Sequence, residues 1–196
     1  MPALTRKILK YCEVTLASSS PRRAALLRKI PWLRVTVFPS RVVESAYAGG
    51  DPADYAMTLA RRKAEDVWRH AGGLVIGADT VVALDGEVLG KPVSGATAER
   101  MLCKLCGRTH TVITGYCVAS DAKIVQNCVK TRVTFGDYLP DVVHAYIGTG
   151  APFDKAGGYG LQDEMIAPLI QSVEGDRDNV IGLPIEALRK TLEEFL

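Results

Sequence analysis

The sequence predicts an α/β protein built on a mixed central sheet. Strand-like and helix-like runs alternate along the 196 residues, and two pairs of strand-like runs are joined by short polar turns typical of hairpins. Alternation favours the α/β class, and the hairpins add antiparallel neighbours to the parallel pairs that crossovers make. The composition, 47% apolar and 23% charged, supplies ample material for a core. We therefore expect a mixed sheet flanked by helices.

The N-terminal half begins with alternating strands and helices. Asp51 suits the N-cap of a long helix and Pro52 its first position, and Asp85-Gly86 is a strong hairpin turn signal. The apolar stripe of the long helix is predicted to be Tyr55, Leu59, Val67 and Trp68. The elements expected here are a strand over 13–18, a helix over 21–30, a strand over 34–38, the long helix from 51–52 to 72–73, a strand over 74–84 whose strongly apolar pattern is interrupted only at 77–80, and a return strand over 87–90.

The C-terminal half is richer in strands. Two long β-branched runs with a short polar turn between them predict a second hairpin, and Pro184 suits the start of a terminal helix. The elements expected here are a helix over 94–106, hairpin strands over 109–120 and 123–135, a short helix over 141–147, an irregular glycine-rich segment over 151–164, a strand over 165–173, a turn over 179–184, and a helix to Phe195.

The length fits a single domain over 1–196, with 1–12 as a short N-terminal extension. This extension is basic, but no apolar run or small-residue cleavage pattern follows, so it does not resemble a signal peptide. No segment approaches the apolar length needed to span a bilayer. The cysteines number five, which is odd, and no extracellular signal accompanies them. We therefore expect reduced thiols and a cytoplasmic location.

Cys103 and Cys106 form a C-x-x-C pair. A structural zinc site would normally need a second close pair, and Cys117 and Cys128 are far apart on predicted strands. Together with Leu102 and Leu105, the pair is typical of the buried stripe of a helix. Core packing is therefore favoured over metal binding.

The distribution of charge is uneven. A net charge of +2 argues against a chain built to bind nucleic acid. Residues 1–40 nevertheless contain eight Lys or Arg, three of them Arg6, Lys7 and Lys10, against the single acid Glu13. This asymmetry fits a small polyanionic ligand, or else a solvated basic face.

The segment Leu16-Ala-Ser-Ser-Ser-Pro-Arg-Arg23 joins the first strand to the first helix. Ser20 suits an N-cap and Pro21 the first helical position. Backbone N–H groups at a helix start, serine hydroxyls and the guanidiniums of Arg22 and Arg23 are all suited to phosphate oxygens. The segment therefore predicts a polyphosphate site, and its alternative is a capped helix with two solvated arginines.

Asp79 lies inside an apolar strand-like run, where a carboxylate is rare without a partner. It is therefore a metal ligand, a general base or half of a buried ion pair. Its hard oxygens suit Mg²⁺ together with phosphate. Lys91, fixed before Pro92, could bind phosphate, although alone it would be an exposed turn lysine. Lys63 is either a cation aimed into a cleft or a solvated helix lysine.

A third cluster runs from Asp154 to Gln162 and contains Lys155 and three glycines. Glycines allow a ligand to approach the backbone closely. Lysine can meet phosphate, and the glutamine amide can read a base edge with its paired donor and acceptor. Without context this remains a weak motif.

Taken together, these segments resemble the Maf-like nucleoside triphosphate pyrophosphatases. The ordered set is highly specific, although any one piece could be chance. The matching pieces, which run from about Val14 to the end, are Leu16 to Arg23, Glu44, Leu59 to Ala64 with Lys63, Gly77 to Thr80, Gly90 to Pro92, Asp154 to Gln162, and Asn179 to Pro184.

The resemblance implies an elongated fold with two lobes and a cleft between them, and a homodimer. It also implies hydrolysis of a nucleoside triphosphate to the monophosphate and pyrophosphate, dependent on a divalent cation such as Mg²⁺, Mn²⁺ or Co²⁺. Asp79 would accept a proton and also bind the metal, with Glu44 as a second metal ligand. The substrate-binding residues implied are Ser18, Arg22, Arg23, Lys63, Thr80, Lys91, Asp154, Lys155 and Gln162.

Within that family, Arg22, Thr80 and Gln162 resemble the branch that looks specific for dTTP and UTP rather than 7-methyl-GTP. A glutamine amide can pair with the O4 and N3–H edge of thymine or uracil. One departure is Asp163-Glu164, where the family usually shows a small or glycine-rich continuation. Two acids would repel a triphosphate unless they point away or help bind metal, which affects base recognition more than the reaction.

Two alternative functions remain open from the sequence. The first is a pyrophosphatase for purine triphosphates such as ITP, although its phosphate motif looks different from 18–23. The second is a regulator of cell division that binds nucleotides without turnover, which would require Asp79 to be structural. A carboxylate among phosphate-binding cations favours hydrolysis over the second.

Overall fold

The computed structural model describes residues 11–196. The predicted N-terminal extension, with Arg6, Lys7 and Lys10, lies almost wholly outside the described residues. The strands are β1 (Cys12–Leu16), β2 (Leu33–Val37), β3 (Val75–Leu84), β4 (Glu87–Leu89), β5 (Thr109–Ala119), β6 (Ile124–Phe135) and β7 (Ile170–Glu174). The α-helices are α1 (Pro21–Leu27), α2 (Pro52–Ala71), α3 (Gly95–Leu105), α4 (Pro140–Gly148), α5 (Arg177–Ile181) and α6 (Ile185–Glu193).

The seven strands form one mixed sheet in the order β2-β1-β3-β5-β6-β7, with β4 paired to β3. β1 is parallel to β2 and β3, whereas β3, β5, β6 and β7 are antiparallel to their neighbours. The predicted fold class, a mixed sheet flanked by helices, is confirmed. Both predicted hairpins are present, and Asp85 and Gly86 take the positive φ values, 50° and 79°, that a tight hairpin turn requires.

β3 is one continuous strand through 77–80, as predicted. Two other predicted boundaries are wrong for local reasons. The strand expected from Met165 begins only at Ile170, because a 3₁₀ segment containing Pro168 precedes it. The expected turn at 179–184 begins instead inside α5, which the side chain of Asp176 caps.

Helix α2 packs on the sheet mainly through small residues, and only the two aliphatic members of the predicted stripe are buried. Its buried face is mainly alanine, with Leu59 and Val67, while Tyr55 and Trp68 are only partly buried. This close packing depends on glycines in the strands below. A Cβ at Gly115 would lie 2.5 Å from the backbone of Ala56 and Met57, so no side chain fits there.

Two large apolar clusters lie at opposite ends of β3. Ile76 belongs to the cluster that also contains Leu16, Leu27, Leu183 and Leu188. Val82 and Leu84 belong to the cluster formed with α3, α4 and β6. Asp79 therefore lies on a strand anchored in apolar packing on both sides.

The cysteine prediction is only partly confirmed. Leu102 and Leu105 are buried as expected, but Cys103 is exposed and Cys106 is only partly buried. The thiols of all five cysteines are free. Within residues 11–196, no helix is both long enough and apolar enough to cross a bilayer.

Candidate active site

A cleft of about 420 Å³ opens beside β3, a size typical of small-molecule sites. A smaller cavity of about 100 Å³ adjoins it. Together they collect every residue that the sequence predicted for the site. The larger cavity is lined by Ser18, Glu44, Lys63 and Asp79, the smaller by Lys155 and Gln162, and both by Arg22, Arg23, Thr80, Lys91 and Asp154.

The centre of the larger cavity is an ion-paired triad. The Lys63 ammonium donates hydrogen bonds of 2.6 Å to Oε1 of Glu44 and 2.6 Å to Oδ1 of Asp79. The side chains of Lys63 and Asp79 are only 8% and 10% exposed, whereas that of Glu44 is 45% exposed. The solvated-lysine interpretation of Lys63 is therefore wrong, and Asp79 is one partner of a nearly buried ion pair.

The sheet geometry explains how Lys63 and Asp79 meet. Alternate residues of a strand face the same side, so Gly77 and Asp79 both face α2. Gly77 leaves no gap between β3 and the backbone of α2, and Lys63 therefore lies close above Asp79. The ion pair between Lys63 and Asp79 thus also depends on Gly77, two residues before Asp79 on β3.

Opposing effects act on the ionisation of Glu44. Partial burial favours its neutral form, but the Lys63 hydrogen bond and charge, together with Lys91 and Arg23, outweigh burial and lower the pKa of Glu44. Glu44 is therefore a carboxylate at neutral pH.

On the opposite face of β3, Thr80 meets the partly buried guanidinium of Arg23. Arg23 donates to Ser18 Oγ at 3.3 Å, to Thr80 Oγ1 at 3.1 Å and to the carbonyl of Gly182 at 2.9 Å. All three acceptors are neutral, and within residues 11–196 no carboxylate forms a salt bridge with Arg23. Burial lowers the pKa of Arg23 against the opposing charges of Asp79 and Glu44. An anion in the cleft would supply the compensating charge that this cation lacks.

Part of the donor capacity at the start of α1 is used within the segment itself. Ser20 is the N-cap and Pro21 the first residue of α1, as expected. However, the N–H of Ser20 donates to Ser18 Oγ at 3.2 Å and that of Arg23 to Ser20 Oγ at 3.4 Å, while Pro21 has none. Several of the expected backbone donors are therefore already used, and the positive charge near the cleft comes mainly from side chains.

Arg22 and Asp154 form a clasp across the boundary of the two cavities. Arg22 Nη1 lies 2.7 Å from Asp154 Oδ2, and Nη2 donates to the carbonyl of Asp154 at 3.3 Å. The other oxygen of Asp154 accepts from Lys155 at 3.0 Å. Burial opposes the ionisation of Asp154, but these two cations prevail and lower its pKa. Asp154 thus holds two cations instead of offering itself to a phosphate.

Lys155 and Lys91 differ in how freely their ammonium groups could bind a phosphate. The buried ammonium of Lys155 has three acceptors, the carbonyl of Ala151 and the carboxylates of Asp154 and Asp163, so a phosphate would have to displace one of them. Lys91 is exposed and lines both cavities, and within residues 11–196 its ammonium has no hydrogen-bond or salt-bridge partner. Lys91 is thus the more available of the two lysines.

Glu44 and Asp79 have the chemistry needed for a divalent cation. Each uses one carboxylate oxygen on Lys63, and no donor within residues 11–196 reaches the other oxygen. Mg²⁺ is usually held by one or two carboxylates plus substrate phosphates and water, so this pair fits it. In the described part of the chain, no three His, Cys, Asp or Glu side chains form a metal cluster, so phosphate oxygens would have to complete the coordination.

Sequence reasoning missed several residues that shape the site. One of them is Gly115, which lies inside a long apolar strand. A glycine there indicates that another backbone approaches the strand closely, and this signal was present in the sequence. Thr114 Oγ1 donates to the carbonyl of Asn179 at 2.8 Å and lies 2.9 Å from Thr80 Oγ1, which ties α5 to the site. Tyr146, which contacts Asp163, carries no signal of this role in the sequence.

Comparison with known proteins agrees with this geometry. Residues 13–195 match the family model described as Maf-like protein. A dTTP/UTP pyrophosphatase of Geotalea uraniireducens (strain Rf4) is 44% identical over 184 residues, covering 90% of this chain and 94% of the relative. One from Thermococcus onnurineus (strain NA1) is 45% identical over 181 residues, covering 92% and 96%.

Among solved structures, the Staphylococcus aureus Ham1 protein superposes with a TM-score of 0.54 at 18% identity, covering 94% of this chain and 100% of the other. At that identity the likeness concerns the fold alone. The family match spans every segment that contributes to the cleft, from Ser18 through Asp79 to Gln162. The chain therefore belongs to the Maf-like protein family.

Proposed function

We propose that this protein is a nucleoside triphosphate pyrophosphatase that converts dTTP and UTP to the monophosphate and pyrophosphate. Relatives at 44–45% identity over about nine-tenths of the chain carry the name dTTP/UTP pyrophosphatase. The observation that carries the proposal is the Asp79 carboxylate, held by Lys63 at 2.6 Å in a cleft lined with cations.

In the proposed reaction, Asp79 acts as the general base. Oδ1 is held by Lys63, which leaves Oδ2 to accept a proton from water. The water oxygen forms a bond to the α-phosphorus, and the bond from that phosphorus to the bridging oxygen breaks, so that pyrophosphate leaves. Asp79 retains the proton until it passes to solvent.

Arg23, Lys91 and Arg22 would bind the triphosphate. Among residues 11–196, Arg23 has no anionic partner and the Lys91 ammonium has no partner at all, so both gain from an incoming polyanion. Ser18 and Thr80 orient Arg23 by accepting its hydrogen bonds. A divalent cation held by Glu44 and by phosphate oxygens would neutralise phosphate charge when bound, which leaves Oδ2 of Asp79 free to act as the base.

Gln162 would read the base from the smaller cavity. Its amide offers an acceptor and a donor side by side, which match N3–H and O4 of uracil and thymine. The single-domain, homodimer and cytoplasmic assignments stay predictions from the sequence and its resemblance.

A nucleotide panel tests the proposal. The enzyme with Mg²⁺ or Mn²⁺ is expected to release pyrophosphate and monophosphate from dTTP and UTP, and Asp79→Asn to lose this turnover while keeping the fold. Asp137→Asn, at an exposed aspartate, is the matched control and should retain activity. Orthophosphate as the product, or full activity in Asp79→Asn, would contradict the mechanism. Preferred turnover of ITP would indicate the purine alternative, and binding without turnover a regulator.

A further inference from the structure

The first acid after Gln162 turns away from the cleft and contacts three neighbouring side chains. Asp163 Oδ2 accepts a hydrogen bond of 2.6 Å from the hydroxyl of Tyr146 and lies 3.3 Å from the Lys155 ammonium. Its Oδ1 accepts a bond of 3.3 Å from Nε2 of Gln162. Asp163 is not among the residues that line either cavity, whereas Gln162 lines the smaller one.

The geometry around Gly160 fixes this arrangement. Side chains from Gln162, Lys155 and Asp163 converge in the space that a Cβ at Gly160 would fill, at 2.7, 2.7 and 2.8 Å from it. The N–H of Gly160 donates to the buried Tyr146 hydroxyl at 3.2 Å, so that hydroxyl is oriented with its hydrogen toward Asp163. The Asp163 carboxylate is therefore anchored from α4 and from Lys155, independently of Gln162.

A carboxylate beside an amide determines which way the amide faces. An ionised Asp163 only accepts hydrogen bonds, so it selects the rotamer of Gln162 in which Nε2, not Oε1, is turned toward it. One N–H of Nε2 is used on Asp163. The order of the remaining N–H and Oε1 is then fixed, and these are the groups of Gln162 left to meet a base in the cavity that it lines.

The order of donor and acceptor at Gln162 distinguishes the pyrimidines. Uracil and thymine present O4 as an acceptor next to N3–H as a donor, whereas cytosine presents an N4 donor next to an N3 acceptor. An amide that could turn by 180° would match either pattern, and an amide held in one orientation matches one of them. We infer that Asp163 is a positioning residue that holds the Gln162 amide in one orientation and thereby sets the preference for uracil and thymine over cytosine. This inference rests on the proposed function of the cleft.

The test measures selectivity in turnover and in binding. For wild type, Asp163→Asn and Glu164→Gln, kcat/KM is measured for UTP and CTP, and Kd for the non-hydrolysable α,β-imido analogues of both. In Asp163→Asn, where the neutral side chain can accept or donate, we expect the UTP to CTP ratio to fall about tenfold or more, with kcat on UTP changing far less. Glu164→Gln removes the same charge from an exposed neighbour and should leave the ratio unchanged.

A double-mutant cycle separates positioning from simple destabilisation. In the Gln162→Ala background, Asp163→Asn should have no further effect on the ratio, because its effect is transmitted through the amide. An equal loss on UTP and CTP, or a ratio that falls equally with and without Gln162, would overturn the inference. Tyr146→Phe, which removes one anchor of Asp163, should lower the ratio partially, and an unchanged ratio there would count against the anchoring step.

The two proposals fail in different ways. A wild type that releases pyrophosphate from no triphosphate contradicts the proposed function. In that case the Kd values of the two α,β-imido analogues still test the inference about Asp163. Tighter binding of the uridine analogue than of the cytidine analogue in wild type, with the difference lost in Asp163→Asn, supports the inference. Equal affinity of the wild type for both analogues refutes it.

Discussion

Gly77 of β3 lies so close to Ala60 of α2 that a Cβ at Gly77 would overlap the carbonyl oxygen of Ala60. The same Cβ would lie 2.7 Å from the backbone nitrogen of Ala64. These contacts are with backbone, which has little freedom to move aside. Lys63 precedes Ala64 on this helix, so the depth at which α2 rests on β3 also sets the position of the ammonium over Asp79.

Replacing Gly77 by alanine should therefore affect both stability and turnover. Gly77→Ala is expected to lower the free energy of unfolding by about 1–3 kcal/mol, as overpacking does, and to reduce kcat/KM because Lys63 moves from Asp79. Urea unfolding and a pyrophosphate-release assay measure the two effects. Gly148→Ala, where a Cβ meets nothing within 4 Å, is the control. Wild-type stability in Gly77→Ala would show that α2 does not rest on this contact.

Removing the cation of the triad should stop catalysis. Lys63→Met keeps most of the side-chain volume but leaves the nearly buried Asp79 without its partner, so kcat/KM is expected to fall about a hundredfold or more. The stability should also fall, by about 3–5 kcal/mol at most. Lys104→Met, which breaks an exposed pair with Glu87, serves as the control and should change neither quantity appreciably. Activity near wild type in Lys63→Met would exclude the triad from the reaction.

The clasp between Arg22 and Asp154 should compete with substrate. Its side chains are 22% and 59% exposed, so breaking it should change stability by about 1 kcal/mol or less. Asp154→Asn removes a negative charge from the cleft and releases Arg22, so the KM for UTP is expected to fall about threefold to tenfold. Steady-state kinetics at low salt measure this, with Glu174→Gln, from another exposed pair, as the control. A higher KM would instead make Asp154 a direct substrate ligand.

His110 should make stability depend on pH. Its ring is buried, 2% exposed, and Nε2 lies 2.7 Å from the Tyr159 hydroxyl, while no group in the described part of the chain pairs with Nδ1. Burial lowers the pKa of His110 to about 4. The unfolded state, with a histidine pKa near 6.5, therefore binds more protons, so this contribution is complete above about pH 6.5 and is lost as the pH falls toward 4.

The expected loss over that interval is about 3 kcal/mol. Urea unfolding between pH 7 and 4.5 measures how the free energy of unfolding changes with pH. This free energy should fall toward low pH in wild type, in Tyr159→Phe and in His70→Gln, where the replaced histidine is exposed. This pH dependence should disappear in His110→Phe. Carboxylates whose pKa is lowered, such as Glu44 and Asp154, begin to lose their contribution as the pH falls into the ordinary carboxyl range and complete the loss below it, so the part of the slope above about pH 5 is the one that reports on His110. A slope that persists in His110→Phe would assign it to another group.

Local chemistry made much of the fold predictable. Asp51 and Pro52 start α2, Ser94 caps α3, and Asp85-Gly86 turns β3 into β4, each within a residue or two of the prediction. These signals act over a few neighbouring residues and can be read in one dimension. The stripe of α2 could not be read in this way, because Ala56, Ala60 and Ala64 owe their close packing to Gly77 and Gly115, which lie opposite them on other elements.

The sequence by itself determined the mixed sheet, the family resemblance and which of its candidate side chains line the cleft. Only the tertiary structure decided how those side chains are paired: Lys63 with both Glu44 and Asp79, Arg22 with Asp154, and Asp163 with Tyr146. The physical reason is that ionic and hydrogen-bonding partners are selected by distance and burial in three dimensions. Arg22 and Asp154 are 132 residues apart in the chain, and no local pattern records that they meet.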